Sequence, residues 1–359
     1  MTLSMVEYIW LDGKKPVAKM RSKSRVVELP SKPKLTDFPE WSFDGSSTYQ
    51  AIGKDSDLIL RPVCFVHDPL ENGGDYLLMC EVINPDSITP HPSNSRSRLR
   101  KILDGGAADH DPWLGFEQEY TMFQRNIPLG WPEHGYPAPQ GPYYCGVGSE
   151  QIFGRDLAME HAHACIKAGL FYYGLNAEVM PGQWEFQVGY RGAKNEHTDA
   201  LTICDHTWLA RWLIQRISEE YDVHISIDNK PVKGDWNGAG MHTNFSTEPM
   251  RNPATGRKTI DEAILRLSKK HKEHIIHYGD RLEERLTGLH ETSDIYEFSA
   301  GDANRGCSIR IPRIVALKGH GYLEDRRPGA NSDPYMVAAR IIATVCDIDD
   351  SCLLPAAAG

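Results

Sequence analysis

Glutamates stand inside apolar, strand-forming segments at five positions, and any fold open to this chain has to neutralise them. Glu117 and Glu119 lie in Leu-Gly-Phe-Glu-Gln-Glu-Tyr-Thr-Met-Phe (114–123), and Glu178 and Glu185 in Asn-Ala-Glu-Val-Met-Pro-Gly-Gln-Trp-Glu-Phe-Gln (176–187). Glu324 follows Gly-Tyr-Leu and precedes Asp-Arg-Arg. Such neighbours pack against a core, so each carboxylate is expected to be at least partly buried. A buried charge needs a partner, and no run of Lys or Arg accompanies the first four. On a strand, Glu117 and Glu119 share one face. A symmetric hairpin closed at Pro181-Gly182 pairs 178 with 185 and sets like charges opposite each other. Both arrangements call for divalent cations between the carboxylates.

The 359 residues suffice for a large core and two domains, and 40% hydrophobic with 25% charged residues is the balance of a soluble globular protein. The net charge of −10, without a basic cluster, argues against nucleic acid as partner. No apolar run approaches the roughly 20 residues of a membrane span, and Val6–Leu11 is too short for a secretory core. Eight cysteines without a CxxC pair imply reduced thiols and a cytoplasmic protein.

Strand character is expected over Val6–Leu11, Val26–Leu29, Asp57–Pro62 and Tyr76–Ile83, with a hairpin turn at Asp12-Gly13. Thr89–Asn94 is expected to be a domain linker that caps a helix from Ser95 to about Leu103. Further helices are expected over Gly154–Ala168, Asn195–Tyr221, Ile260–His277 and Tyr335–Ile348. The Pro-, Gly- and Tyr-rich stretch 124–150 is a long loop, and loops of that length are more often functional than idle.

Three more constellations carry chemistry. In Met-His-Thr-Asn-Phe-Ser (241–246), alternation puts His242, Asn244 and Ser246 on one face. The preceding Asn237–Gly240 loop offers backbone amides to an anionic ligand. His290-Glu291, among small polar residues, suits a mobile flap with an acid/base group. Ser308 and Arg310 share a strand face, and an inward arginine beside carboxylates implies an anion such as phosphate.

These segments resemble glutamine synthetases of the shorter, eukaryotic-type class. The likeness rests on Trp41–Thr48, Phe116–Thr121, Pro139–Cys145, Asn176–Gln187, Gly238–Ser246, His290–Ser293, Asn304–Arg313 and Glu324–Pro328, which span nearly the whole chain in order. It implies an α+β fold, with a small β-grasp-like domain at 1–89 and a catalytic domain at 90–359 built on a curved antiparallel half-barrel sheet flanked by helices. It implies ATP-dependent joining of L-glutamate and ammonium through γ-glutamyl phosphate, with two or three Mg²⁺ or Mn²⁺ ions per site. Glu119, Glu178 and Glu185 would hold one ion; Glu117, His242 and Glu324 would hold a second. Trp113 would line the adenine, and Gln187, Asn244, Ser246, Arg251, Arg310 and Tyr322 would contact ATP. Asn237, Gly238, Arg285 and Arg326 would seat glutamate, and Arg305 would reach both glutamate and phosphate. Glu291 would close over glutamate, and Asp44 of a neighbouring subunit would help bind and deprotonate ammonium, in a decamer of two five-membered rings. The shorter class also implies no adenylylation control. Tyr190 and Leu289 depart from the family pattern, in the nucleotide pocket and the flap. An amine in place of ammonium, and a catalytically inactive structural relative, are the competing expectations.

Overall fold

The computed structural model describes residues 1–354. Five strands, β1 (Thr2–Leu11), β2 (Met20–Leu29), β3 (Trp41–Asp44), β4 (Asp57–His67) and β5 (Tyr76–Ile83), form one sheet in the order β2-β1-β5-β4-β3. β1 and β5 are parallel and the other pairs antiparallel. Alternate residues of the two central strands serve different cores. Tyr8, Trp10 and Leu78 join a small N-terminal cluster with Phe38 and Phe43, whereas Ile9, Leu77 and Met79 join the main core of the protein. Being covered on both faces, β5 is buried throughout and apolar except for Glu81, which pairs with Arg100 at 3.0 Å.

The β1–β2 connection spans residues 12–19, wider than a turn at Asp12-Gly13. The buried Asp12 carboxylate accepts from the Lys14 and Lys19 amides and pairs with Arg21 at 3.0 Å. It anchors the loop from inside instead of closing a tight turn.

Nine strands form the second sheet: β6 (Trp113–Gln124), β7 (Ile127–Pro128), β8 (Tyr172–Ala177), β9 (Gln183–Val188), β10 (His224–Ser226), β11 (Met241–Ser246), β12 (Ala300–Asp302), β13 (Ile309–Ile311) and β14 (Leu323–Asp325). The order is β12-β13-β14-β11-β6-β9-β8, with β7 and β10 also pairing with β6. Only the edge pair β12–β13 is parallel. On one face Phe116, Gln118, Tyr120, Phe186, Met241 and Phe245 are fully buried, against the helices Arg155–Lys167 and Ala200–Glu220. Gln118 is tolerated there because Arg211, from the second helix, donates to its Oε1 at 2.8 Å. The opposite face carries the acidic residues. The expected α+β architecture is the one observed.

Helix ends differ from the sequence expectation where caps decide them. The long helix begins at Ala200, because the Asp199 side chain accepts from the Thr202 amide and stops it extending back to 195. The helix expected over 260–277 runs Gly256–Lys269, breaks at Lys270 and resumes over His271–Ile275. Asn94 caps the helix Ser95–Asp104 as expected. No helix among the described residues is long and apolar enough to cross a membrane.

Candidate active site

Sheet register aligns the polar residues in three rows. Across one row His242 pairs with Glu117, and Glu117 with Gln187. In the next, Glu119 faces Glu185, and Glu185 faces Asn176. In the third, Arg310 pairs with Glu324, and Glu324 with Asn244. Like charges do meet across the sheet, but between Glu119 and Glu185.

The expected pairing of 178 with 185 is therefore corrected. Glu185 lies opposite Asn176, and the Glu178 amide donates to the Gln183 carbonyl at 2.8 Å. The Gln183 amide bonds Met180 O, with Gly182 at φ 71, which is a Pro-Gly type II turn. That turn twists poorly with a two-residue hairpin, so the loop widens and its centre moves one residue toward the N-terminus. Glu178 is left in the bend, where Asn176 Nδ2 donates to it at 2.8 Å.

Burial dominates the electrostatics. It pushes the Glu119 and Glu185 carboxyls up and Glu178 up to about 8, and neighbouring glutamates push each further. For Glu119 the Arg285 guanidinium and the Gly240 amide work in the opposite direction. Burial, then Arg326, drives His242 well below its usual range, so it is a neutral imidazole with a lone pair to offer. Donor atoms of Glu117, His242 and Glu324 lie within 4.8 Å of one another, as do those of Glu119, Glu185 and His242. Glu178 stands outside both tight groups.

Arginines from a neighbouring strand and from the chain just beyond Glu324 compensate the acidic groups. Glu324, 1% exposed, is forked between Arg310 Nη1 at 2.7 Å and Arg326 Nη1 at 2.6 Å. Arg285, buried, donates to His242 Nε2 at 3.0 Å. Arg326 also donates to the Arg305 carbonyl at 2.9 Å.

These groups line a cavity of about 480 Å³. Glu117, Glu119, Glu178, Glu185, Gln187, Asn237, Gly238, His242, Arg285, Glu291, Arg305, Arg310, Glu324 and Arg326 all face it. Three of the four amides of 237–240 are taken by the protein itself, where the glycine-rich sequence led one to expect them open to a ligand. Asn237 N donates to Gln140, Ala239 N to Asn229 O and Gly240 N to Glu119. The loop serves to seat Glu119 and the catalytic-side wall. Ser308 lies just before the strand that carries Arg310 and is buried against Glu297 O. His290 and Glu291 both have left-handed backbones, φ 52 and 57, at the cavity mouth.

A second cavity of about 420 Å³, more apolar, holds Trp113, Asn244, Ser246, Arg251 and Tyr322 together with Tyr173 and Tyr190. Asn244 links the two, since its Nδ2 donates to Glu117 at 2.9 Å. Asp44 alone among the candidate residues lines neither cavity. Its exposed carboxylate is held by Ser46 and Ser47, and those hydrogen bonds pull its pKa down to about 2.

Sequence reasoning did not single out Gln140, Tyr144, Asn176 or Tyr173. Gln140 bridges Asn237 and His290 at 2.8 and 3.2 Å, and Tyr144 lines the acidic cavity. Their signal was the length and composition of the 124–150 loop. Asn176 had a signal in its spacing from Glu178.

The family model described as glutamine synthetase, beta-Grasp domain matches residues 2–85, and that described as glutamine synthetase, catalytic domain matches residues 93–274. The chain is 53% identical over 349 residues to the chloroplastic glutamine synthetase of Chlamydomonas reinhardtii, covering 94% of this chain and 90% of that protein. It is 51% identical over 341 residues to the glutamine synthetase of Streptomyces viridochromogenes, covering 95% and 96%. With that of Debaryomyces hansenii it shares 49% over 344 residues, covering 95% and 89%.

Proposed function

The chain belongs to the glutamine synthetase family and makes glutamine from glutamate and ammonia, and from that premise we propose how its own residues divide the work. The observation that carries the assignment is the acidic row, Glu119 against Glu185, on the floor of an arginine-walled cavity that adjoins an apolar one. The donor set is carboxylate oxygen and one neutral imidazole, with no thiolate, which fits a hard divalent cation. Glu119, Glu178 and Glu185 hold one Mg²⁺ or Mn²⁺, and Glu117, His242 and Glu324 a second. Bound there, such ions supply the positive charge that lets carboxylates and phosphates share the cavity.

The rest falls to side chains. Trp113 lines the adenine, and Gln187, Asn244, Ser246, Arg251 and Tyr322 contact ATP. Asn237, Gly238, Arg285 and Arg326 seat glutamate with its γ-carboxylate toward the γ-phosphate. Two unit charges 4 Å apart repel by about 4 kcal/mol at an effective dielectric of 20, so cationic walls are needed on both sides. Arg305 and Arg310 stabilise the phosphoryl group in transfer, giving γ-glutamyl phosphate. Asp44 of a neighbouring subunit and Glu291 draw in ammonium and take its proton. The exposed, strongly acidic carboxyl of Asp44 supports its part in drawing in the cation, because it stays ionised across the working pH range. Glu291 at the mouth also keeps water from the acyl phosphate. The assembly is a decamer with active sites between adjacent subunits. The boundary between the domains falls at 89/90, and the eight free thiols support a reducing compartment, the cytoplasm.

Phosphate release and glutamine formation, measured with ATP, glutamate, Mg²⁺ and either ammonium or a panel of amines, test this. Ammonium is expected to be preferred. A preference for an alkylamine contradicts the role of Asp44 and Glu291, and no turnover with any acceptor contradicts the whole assignment.

A further inference from the structure

One acidic residue outside the site as drawn so far organises the nucleotide side. Asp111 precedes β6 in a left-handed conformation, φ 45 and ψ 62, and receives three donors from different parts of the chain. Its Oδ1 accepts from the Trp113 indole Nε1 at 3.3 Å and meets His197 Nε2 at 2.6 Å. Its Oδ2 pairs with Arg251, whose Nη2 also donates to the Asp111 carbonyl at 2.9 Å. Arg251 in turn lies over the Trp113 ring, 4.4 Å from the centroid, and donates to Ser246 Oγ at 3.0 Å. His197 meets the Trp113 ring edge-on at 5.6 Å, and Tyr190 lies 5.2 Å from the same ring.

We propose that Asp111, braced by His197, is the positioning residue of the nucleotide cavity, fixing the Trp113 indole and the Arg251 guanidinium in the orientation that receives ATP. The proposal rests on the reading of that cavity as the nucleotide site. An isolated surface ion pair contributes little and does no positioning. Here one residue holds Arg251 Nη2 through a carboxylate oxygen and its own backbone carbonyl, and holds the indole by its only donor, so the ring and the cation cannot turn independently. Trp113 is tied at its N–H edge by Asp111 and covered on its face by Arg251, which leaves little rotameric freedom to lose when a base arrives. His197 comes from the 190–198 segment, whose Thr198 carbonyl accepts from the Leu114 amide at 3.4 Å. That segment walls the cavity beside Trp113 and explains why Tyr190, a departure from the family pattern, packs on the same indole.

The test is steady-state kinetics on the assembled enzyme with Asp111→Asn, His197→Ala, His197→Gln and the Asp111→Asn/His197→Ala pair, with melting temperature as a folding control. Asp111→Asn is expected to raise KM for ATP about tenfold, and to weaken ADP binding by calorimetry to match, while kcat at saturating ATP and KM for glutamate stay within about twofold. His197→Ala is expected to raise KM for ATP about threefold and His197→Gln less, because glutamine still donates to Asp111. The double variant is expected to match Asp111→Asn alone, since His197 acts through Asp111. Trp113→Ala separates the two layers. If it raises KM for ATP and Asp111→Asn does not, the positioning role is wrong and the nucleotide site stands. If Trp113→Ala leaves KM for ATP unchanged, the nucleotide site is misplaced and the proposal falls with it. Equal losses for ATP and glutamate, together with a lower melting temperature, also overturn it.

Discussion

Replacing Glu185 by glutamine keeps the shape of the side chain and removes one charge from the most crowded part of the site. Glu185 is 5% exposed and faces Glu119, and the donor atoms of the pair and of His242 lie within 4.8 Å of one another. At 4.8 Å, the widest separation this grouping allows, and an effective dielectric of 20, the ionised Glu119–Glu185 pair repels by about 3.5 kcal/mol. Proton uptake relieves part of this in the metal-free protein, so the Glu185→Gln gain there should be about 1–3 kcal/mol, a rise of a few degrees in melting temperature. Metal reverses the order. A ligand present at a hundred times its dissociation constant stabilises by about 2.7 kcal/mol, and the variant should lose most of that increment. Activity should fall at least about a hundredfold, the upper range for disturbing even the group behind a metal ligand. Differential scanning fluorimetry of both proteins, in chelator and in excess Mn²⁺, reads the two effects separately. A variant that melts lower than the parent in chelator, yet keeps the full Mn²⁺ increment, would show that Glu185 is neither crowded nor a ligand.

Three further outcomes follow from the same geometry. In the metal-free protein the raised carboxyls of Glu119, Glu178 and Glu185 hold protons that the unfolded chain has released above its ordinary value of 4.5. Stability should therefore fall as pH rises from that value toward about 8, where Glu178 titrates, at about 1.4 kcal/mol per pH unit for each such proton; denaturant midpoints across that window should slope this way in chelator and flatten in Mn²⁺. At Gly240 an added Cβ would lie 2.4 Å from Arg285 Nη2 and 3.1 Å from His242 Nε2, so Gly240→Ala should displace Arg285 and raise KM for glutamate about tenfold or more with ATP binding retained; an unchanged KM for glutamate speaks against Arg285 as a substrate contact. Asp44→Ala should raise KM for ammonium while lowering the melting temperature only slightly, through the lost hydrogen bonds to Ser46 and Ser47; an effect confined to KM for ATP would remove Asp44 from the ammonium site.

Much of the site was legible because strand periodicity is local. The two-residue spacing of Glu117 and Glu119, and that of His242 and Asn244, set which side chains share a face before any tertiary contact is known. The register of the 176–187 hairpin was not legible, because a Pro-Gly type II turn shifts the loop centre by one residue and so moves the pairing by two. Nor were the partners of three amides of the glycine-rich loop, two of which, Gln140 and Glu119, lie far away in sequence. The arginine fork on Glu324 joins β13 to the segment after β14, and the Asp111–His197 contact joins residues 86 apart. Side-chain pairs of that kind leave no periodic trace. The helix starting at Ala200 shows the converse: Asp199 was a readable cap, hidden inside a stretch whose apolar spacing already looked helical further upstream.

The most direct test is anomalous diffraction from crystals soaked in Mn²⁺. Two peaks are expected on the polar face of the nine-stranded sheet, one bounded by Glu119, Glu178 and Glu185, the other by Glu117, His242 and Glu324. Diffraction that shows no peak in this cavity, with the same carboxylates still buried around it, would contradict the account at its root.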